Sequence, residues 1–235
     1  MLKTIIISDI HIGKPDAQPQ KLLAFLEKNP CENLIINWDL IDDLFIKFFW
    51  AWKQKHVAVI EQIKAICKKN KTKIFYIQGN HEIKDRLITK DLKMQKHLIY
   101  TSDRKKYYIC HGHQFDKVNY KHWGISYLAF FWWSLLGLIN RIYNATRQKL
   151  WYKKQSLMTP IKRLAKSFIW GRKNIDKKIY ETAIEKNCDG VICGHFHETE
   201  NRQIGKIHYL NSWEWVETRS AIIENQKWER KIVFP

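Results

Sequence analysis

The sequence predicts an α/β protein built of layers, with a helical insertion near its middle. Short apolar stretches rich in β-branched residues alternate with amphipathic helical patterns over the first half of the chain. The last third is again rich in strands, whereas residues 119–187 show no strand pattern and are dense in aromatic and basic side chains. Alternating strands and helices followed by strands indicate sheets that are covered by helices.

Residue types place the individual elements in order along the chain. Residues 3–8, Lys-Thr-Ile-Ile-Ile-Ser, predict a buried strand because β-branched side chains pack well on a pleated surface. An amphipathic pattern predicts a helix over 19–28, and Asn-Leu-Ile-Ile-Asn at 33–37 predicts a second strand. The other predicted elements are helices over 44–69 and near 84–96, and strands at 73–78, 98–100, 106–110, 189–193, 206–211, 219–224 and 230–234.

Length and composition indicate one large domain with a sizeable insertion. A chain of 235 residues can bury about 70% of its unfolded surface, so it needs no disulfide bonds for stability. Its composition, 45% hydrophobic and 27% charged, excludes a disordered chain. Five scattered cysteines without a Cys-x-x-Cys pair argue against a disulfide framework and against a structural zinc site. We expect a core formed by 1–118 and 188–235, and a helical, aromatic and basic cap over 119–187.

The net charge of +18, from 41 basic against 23 acidic residues, indicates a polyanionic partner. Nucleic acid, an anionic membrane surface and a phosphorylated substrate all fit, and charge alone does not choose among them. The apolar run Ile5–Ile7 soon meets Asp9 and is too short for a signal peptide, so we expect a cytoplasmic protein. The oligomeric state does not follow from the sequence.

Residues 122–140 contain no Asp, Glu, Lys or Arg and are long enough to span a membrane. A spanning helix is disfavoured because residues on both sides of the stretch belong to one expected site. A cap helix that buries itself or an acyl chain fits better, as does a helix lying on the membrane surface. Bordering basic residues, which include Arg141, Arg147 and Lys153, are candidates for contact with a phosphate or an anionic lipid.

Polar residues that bind metals recur where predicted strands end. In open α/β sheets, sites form outside the carboxyl ends of the strands, so these clusters converge on one place. Carboxylate, imidazole and amide groups suit Mn, Fe or Zn, and a carboxylate shared between two ions holds them about 3.5–4 Å apart. Each cluster alone is common, but their joint order is not explained by chance. The clusters are Asp9 and His11, Asp39, Asn80-His81-Glu82, His111-Gly112-His113, and His195-Phe196-His197. Asp42 and Asp43 are expected to be acids at a helix start rather than ligands.

The order D-x-H, a second Asp after a strand, GNH-[DE], H-G-H and G-H-x-H resembles the calcineurin-like metallophosphoesterase superfamily over essentially the whole chain. This resemblance implies a four-layer α/β/β/α sandwich. Within the superfamily, the chain is most similar to the bacterial UDP-2,3-diacylglucosamine pyrophosphatase-like group. The stretches that carry this closer likeness are 111–116, 138–141, 189–195 and 211–223.

The resemblance implies two divalent metal ions, Mn²⁺ first and Fe²⁺ or Zn²⁺ as alternatives. Asp9, His11 and His197 would hold one ion, and Asp39 would bridge the two. The other ion would be held by Asn80, His111 and His195, and His81 would act as the catalytic residue over the attacking or leaving oxygen, with Glu82 beside it. A metal-bridging hydroxide would then attack phosphorus.

The same resemblance implies hydrolysis of UDP-diacylglucosamine to UMP and an acylated sugar phosphate, a step of lipid A synthesis. The cap would bind the acyl chains, and the protein would contact the inner face of the membrane peripherally. Two alternatives stay open: a phosphodiesterase or nuclease that the +18 charge would serve, and a metal-free, non-catalytic homologue.

Three departures from the family pattern affect these expectations. Trp38 stands where the family has Gly before the bridging Asp, Glu82 replaces Asp, and His81 stands where the lipid A pyrophosphatases have Arg, which leaves the substrate open. Trp213 also falls at a family glycine, and Trp228 lies at a predicted hairpin turn, which favours glycine. Trp151 is a fourth candidate for a tryptophan at a glycine position. With 11 Trp against 9 Gly, some tryptophans fit either ordinary divergence or a codon that the source organism reads as glycine.

Overall fold

The structure is a computed structural model. The residues it describes are 1–37, 39–42, 54–78, 92, 94–115, 136, 139–140, 142–144, 146–147, 149, 172–196, 199–212, 214–216 and 218–235.

The described elements alternate between strands and helices at first and are mostly strands later. A short 3₁₀ helix covers His113–Phe115. In chain order the others are β1 (Leu2–Ile7), α1 (Pro19–Lys28), β2 (Cys31–Asn37), α2 (Gln54–Lys69), β3 (Lys73–Ile77), β4 (Met94–Gln95), β5 (Leu98–Ser102), β6 (Lys105–Ile109), α3 (Arg172–Glu185), β7 (Gly190–Cys193), β8 (Thr199–Ile204), β9 (Ile207–Ser212), β10 (Ala221–Glu224) and β11 (Arg230–Val233).

The strands form two sheets. The first has the order β11-β10-β1-β2-β3-β4, in which β1 to β4 are parallel and β10 and β11 are antiparallel additions. The second has the order β5-β6-β7-β9-β8, with parallel pairing along β6, β7 and β9. The carboxyl ends of the parallel strands in each sheet therefore share one edge, where the polar clusters of the sequence begin.

Alternating side chains explain why β1 and β2 are apolar on both faces. Ile5 and Ile7 pack into a cluster with α1 and α2, while Ile6 packs into a second cluster with Ile109 and Leu210 of the other sheet. The ring of Tyr180 on α3 lies against the β8–β9 turn of the second sheet. The α/β fold class with two packed sheets and helices outside them is therefore confirmed.

Most described boundaries agree with the sequence prediction to within a few residues. The helix over 19–28 is found with the predicted bounds. The predicted helix near 84–96 is wrong at its end, because residues 94–95 pair with β3 as strand β4, and residues 79–91 and 93 lie outside the described residues. Strand β8 was not predicted because its sequence, Thr-Glu-Asn-Arg-Gln-Ile, is polar, as is usual for an exposed edge strand.

The chain divides into two compact units. One comprises Met1–Gly112 with Tyr180–Pro235, and the other comprises His113–Ile179. The predicted boundaries of the core and the cap stay a prediction. Among the described residues, no helix is long and apolar enough to cross a membrane, and residues 122–135 of the apolar stretch lie outside that set.

A buried carboxylate ties the two sheets together at β5 and β10. Glu224 is 2% exposed and accepts hydrogen bonds from Tyr100 Oη at 2.7 Å and Ser102 Oγ at 2.6 Å. Arg230 Nη2 lies 2.6 Å from Glu224 Oε2, and the Arg230 guanidinium sits 4.0 Å from the centre of the Tyr107 ring. Burial and this carboxylate raise the pKa of Tyr100 well above its ordinary value, so its hydroxyl stays a donor.

Glu224→Gln is expected to lower the free energy of unfolding by about 3 kcal/mol, because it leaves a buried guanidinium without its carboxylate. Urea unfolding followed by circular dichroism measures this change. Glu185→Gln is the matched control, since the Glu185 side chain is 70% exposed and its contact with Lys186 is a surface pair. Equal stability of Glu224→Gln and the parent protein would contradict the assigned role.

Candidate metal centre

Four of the predicted metal ligands have left-handed backbone conformations. Their φ angles are +51° at Asp9, +50° at His11, +44° at Asp39 and +64° at His195. Such conformations cost non-glycine residues free energy and persist only where the surrounding structure enforces them, and they cluster at functional sites. The sharp turns lie at strand ends, after β1, β2 and β7, and set the direction of each side chain.

Backbone hydrogen bonds between neighbouring loops hold these turns in place. His11 N donates to Asp39 O at 2.8 Å, and Ile12 N donates to Leu40 O at 2.8 Å, which joins the loops after β1 and β2. In the other sheet, Gly194 N donates to His111 O at 3.0 Å. The strained residues are therefore fixed by hydrogen bonds that exist only in the folded protein.

Asp9, His11 and Asp39 form a buried group whose ligand atoms all lie within 4.8 Å of one another. His11 Nε2 is 3.8 Å from Asp9 Oδ1 and 3.9 Å from Asp39 Oδ2. Two carboxylates so close in a buried place repel each other unless a positive charge lies between them. Oxygen and imidazole nitrogen suit Mn²⁺, Fe²⁺ and Zn²⁺, so this donor set fits a divalent metal ion.

His111 and His195 form a pair beside this group. His111 Nε2 and His195 Nδ1 are 2.9 Å apart, and the two rings meet edge to face with centroids 4.7 Å apart. The backbone N–H of His195 points at Asp9 Oδ2 at 3.4 Å, which connects the pair to the first group. The structure thus brings together five of the seven predicted ligands, from four separate segments of the sequence.

Asp42 contacts the other ring nitrogen of His11, a position that the sequence did not predict. Its Oδ2 atom lies 2.9 Å from His11 Nδ1 and 2.9 Å from Lys14 Nζ, and the residue is fully buried. A carboxylate in this place fixes the orientation of a ligating imidazole and keeps its other nitrogen available to the metal. The Asp-x-x-Asp spacing after β2 is the only sequence signal for it, and that spacing alone fits a helix start equally well.

A buried polar network supports the loop that carries His195. Asn211 Nδ2 donates to Gly194 O at 3.0 Å and to Tyr209 Oη at 3.1 Å. Cys193 Sγ donates to the same hydroxyl at 3.2 Å, and burial raises the pKa of the Cys193 thiol to about 12. Cys193 therefore acts as a hydrogen-bonded residue of the core beneath this loop.

Of the remaining predicted site residues, the structure describes only Arg147. It donates from Nη1 to Tyr143 Oη at 3.2 Å on the same helical segment. Its phosphate-binding role stays a prediction. The others lie outside the described residues: Asn80, His81, His197, Arg141 and Lys153, together with Trp38, Trp151 and Trp213.

Comparison with known proteins places this arrangement in a family. A comparison with curated protein sequences gave no significant match. Among solved structures, the chain is similar to an archaeal phosphodiesterase at 15% identity and a TM-score of 0.51, covering 100% of both chains. It is also similar to zinc-complexed Vps29 from Entamoeba histolytica, at 12% identity and a TM-score of 0.52, covering 100% of this chain and 99% of that one. These likenesses show the fold.

The family itself is shown by sequence. A model of the calcineurin-like phosphoesterases matches residues 2–199, which include β1 to β7 and every predicted metal ligand. The chain belongs to the calcineurin-like phosphoesterase family.

Proposed function

We propose that this phosphoester hydrolase uses two divalent metal ions to cleave a phosphate anhydride or diester, with Mn²⁺ as the expected metal. The observation that carries the proposal is the buried group of Asp9, His11 and Asp39 next to the pair of His111 and His195. Divalent ions bound there would polarise a phosphoryl oxygen and lower the pKa of a water molecule. The three-residue group would hold one ion, and the histidine pair would belong to the second.

The protein residues have separate tasks in this proposal. From the family resemblance, Asp39 is the expected bridge; it follows β2, the strand next to β1, and its Oδ2 lies 3.9 Å from Nε2 of His11, which follows β1. Asp42 orients His11 through its second ring nitrogen. From the family resemblance, Asn80 and His197 complete the two ligand sets, and His81 donates a proton or a hydrogen bond to the reacting oxygen.

The proposed substrate is a lipid-linked nucleotide sugar similar to UDP-2,3-diacylglucosamine. The support is the sequence likeness at 111–116, 138–141, 189–195 and 211–223, together with the uncharged aromatic stretch 122–140, which suits acyl chains. A protein of this kind would act at the cytoplasmic face of a membrane. A nucleic-acid substrate is the second candidate, and the net charge of +18 is the observation that favours it.

The first test is Mn²⁺-dependent hydrolysis by the purified protein. We expect turnover of UDP-2,3-diacylglucosamine well above turnover of bis-p-nitrophenyl phosphate and of single-stranded DNA. His195→Ala should remove nearly all of it because the variant lacks one expected ligand of the second ion. His97→Ala, which changes an exposed histidine outside the site, should keep the activity of the parent protein.

The possible outcomes distinguish the identity of the substrate from the presence of metal-dependent hydrolysis. Turnover of only the generic diester would refute the lipid substrate and keep the metal-dependent hydrolase, while preferred cleavage of DNA would favour the second candidate. If the folded protein neither binds Mn²⁺ by isothermal titration calorimetry nor hydrolyses any of the three compounds, the enzyme proposal is wrong and the chain is a non-catalytic homologue.

Asp42→Asn is expected to weaken Mn²⁺ binding by about 10- to 100-fold, because the neutral amide holds and polarises His11 less well than a carboxylate. Calorimetry measures the affinity, and a titration of activity against Mn²⁺ should show rescue at high metal concentration. Asp103→Asn is the matched control, since Asp103 is an exposed turn residue with φ of +48°, a conformation that Asn tolerates. Unchanged Mn²⁺ affinity in Asp42→Asn would show that Asp42 does not position a metal ligand.

A further inference from the structure

A cavity lies at the end of the second sheet that is remote from the metal centre. It has a volume of about 360 Å³ and is formed where β6, β7 and β9 begin, whereas His111 and His195 follow the ends of β6 and β7. Because β7 alone has four residues, at least about 13 Å of strand separates the cavity from the histidine pair. The cavity and the metal centre are therefore distinct sites.

Three basic side chains from separate turns and strands line this cavity. Arg104 lies in the tight β5–β6 turn, where Asp103 and Arg104 have φ angles of +48° and +63°, the conformation of a type I′ hairpin. Lys106 is the second residue of β6, and Lys206 follows Gly205 in the turn between β8 and β9. Short turns of this kind are rigid, so the three cations are brought together by the fold.

These cations have no acidic partner within the part of the chain that the structure describes. None of Arg104, Lys106 and Lys206 makes an ion pair there, although Asp189 lies in the same cavity. The Asp189 carboxylate instead accepts a hydrogen bond from the backbone N–H of Lys106 at 2.8 Å. Three like charges around a concave surface attract an anion, and Arg in particular matches phosphate geometry.

The floor of the cavity is apolar and its rim is polar. Ala183, Cys188 and Ile207 are 0%, 6% and 2% exposed, and Ile184 on the same helix as Ala183 is 44% exposed. Asn187 adds an amide at the rim that can both donate and accept hydrogen bonds. A ligand that fits carries a phosphate at one end and a flat, partly apolar body at the other.

We propose that this cavity binds a small phosphorylated ligand of the nucleotide class, independently of the metal centre. The phosphate contacts Arg104, Lys106 and Lys206, and the base lies against Ile184, a lining apolar side chain that is 44% exposed. Inorganic phosphate can contact only the three basic side chains, because it has no base, and it therefore binds more weakly. The proposal does not depend on hydrolysis, since no predicted metal ligand lines the cavity.

The test is titration of the metal-free protein with AMP, UMP and inorganic phosphate, followed by ¹⁵N NMR in the presence of EDTA. We expect the amide signals of Asn187 and Gly205 to shift with a nucleotide at lower concentration than with phosphate. The double variant Arg104→Gln and Lys206→Gln should weaken nucleotide binding at least about tenfold, because two charge-assisted contacts are lost.

The matched control is the double variant Lys21→Gln and Lys28→Gln, which removes two exposed charges from α1. It should change nucleotide binding by less than twofold. Equal weakening in both double variants would mean that only the overall charge attracts the ligand and would overturn the proposal. So would an absence of shifts at Asn187 and Gly205, or equal binding of inorganic phosphate and nucleotides.

A separate observation concerns Trp228 in the β10–β11 hairpin. Trp228 N donates to Asn225 O at 3.0 Å, Asn225 N donates to Glu229 O at 3.1 Å, and Trp228 has φ of +65°. This is a type I turn followed by a residue in the left-handed region, a position that favours glycine. The other described non-glycine residues with positive φ are all polar or charged, whereas Trp has a bulky apolar side chain.

The Trp228 indole gains little stabilising packing in this position. It is partly exposed, and the Lys3 ammonium group lies over it at the surface, 4.9 Å from the ring centre. Trp215 differs in both respects, because it is fully buried, packs on Phe25 with ring centroids 5.3 Å apart, and has no positive φ. The two residues therefore have different structural requirements.

We infer that position 228 is glycine in the protein as the source organism makes it, and that its codon is read there as glycine. Mass spectrometry of protein from the source cells should find glycine at 228 and tryptophan at 215. In recombinant protein, Trp228→Gly should raise the midpoint of thermal unfolding by about 3 °C, since it relieves an unfavourable φ. The control Lys227→Gly should lower it, because Lys227 has no positive φ. Tryptophan at 228 in the native peptides, or an unchanged or lower midpoint for Trp228→Gly, would overturn the inference.

Discussion

The close crossing of two chain segments beneath the metal centre is the constraint on which the site depends. A Cβ atom on Gly194 would lie 2.6 Å from Asp9 Oδ2 and 2.8 Å from Ser8 Oγ, so no other residue fits there without a shift. Ser8 and Asp9 follow β1 in the first sheet, and Gly194 follows β7 in the second. Ser8 Oγ also meets Ser212 Oγ at 2.7 Å. The ligands from the two sheets come together only when these segments cross closely.

This crossing explains how unfavourable backbone conformations survive at the site. Left-handed φ values at Asp9, His11, Asp39 and His195 cost free energy of order 1–3 kcal/mol each, which local structure cannot supply. The apolar cluster between the sheets, which includes Ile6, supplies it, and so do the loop hydrogen bonds. The buried Glu224 links β10 of one sheet to β5 of the other, so polar contacts add to the apolar packing between the sheets. Stability elsewhere in the sandwich thus maintains the geometry of the ligands.

The strands and the positions of the ligands could be predicted from the sequence, but the loop geometry that brings the ligands together could not. β-branched runs such as Ile5–Ile7 identify strands because burial on both faces demands them, and Asp9 and Asp39 are found at the expected ends. The polar edge strand β8 has no such pattern. Asp42 could not be predicted as the partner of His11, because its role depends on a contact between two loops. Positive φ at His11 and His195 is equally invisible in a sequence, since it results from tertiary hydrogen bonds.

The charge distribution indicates the order in which metal and substrate bind. The chain as a whole carries +18 and attracts phosphates from a distance, yet the centre itself presents the buried carboxylates of Asp9, Asp39 and Asp42. A phosphate that approached these groups directly would meet negative charge in a place of low dielectric, where repulsion is strong. Two divalent cations would reverse the sign at that place. In the proposed mechanism metal binding would therefore precede substrate binding, whereas the proposed anion site beside Lys206 would need no metal.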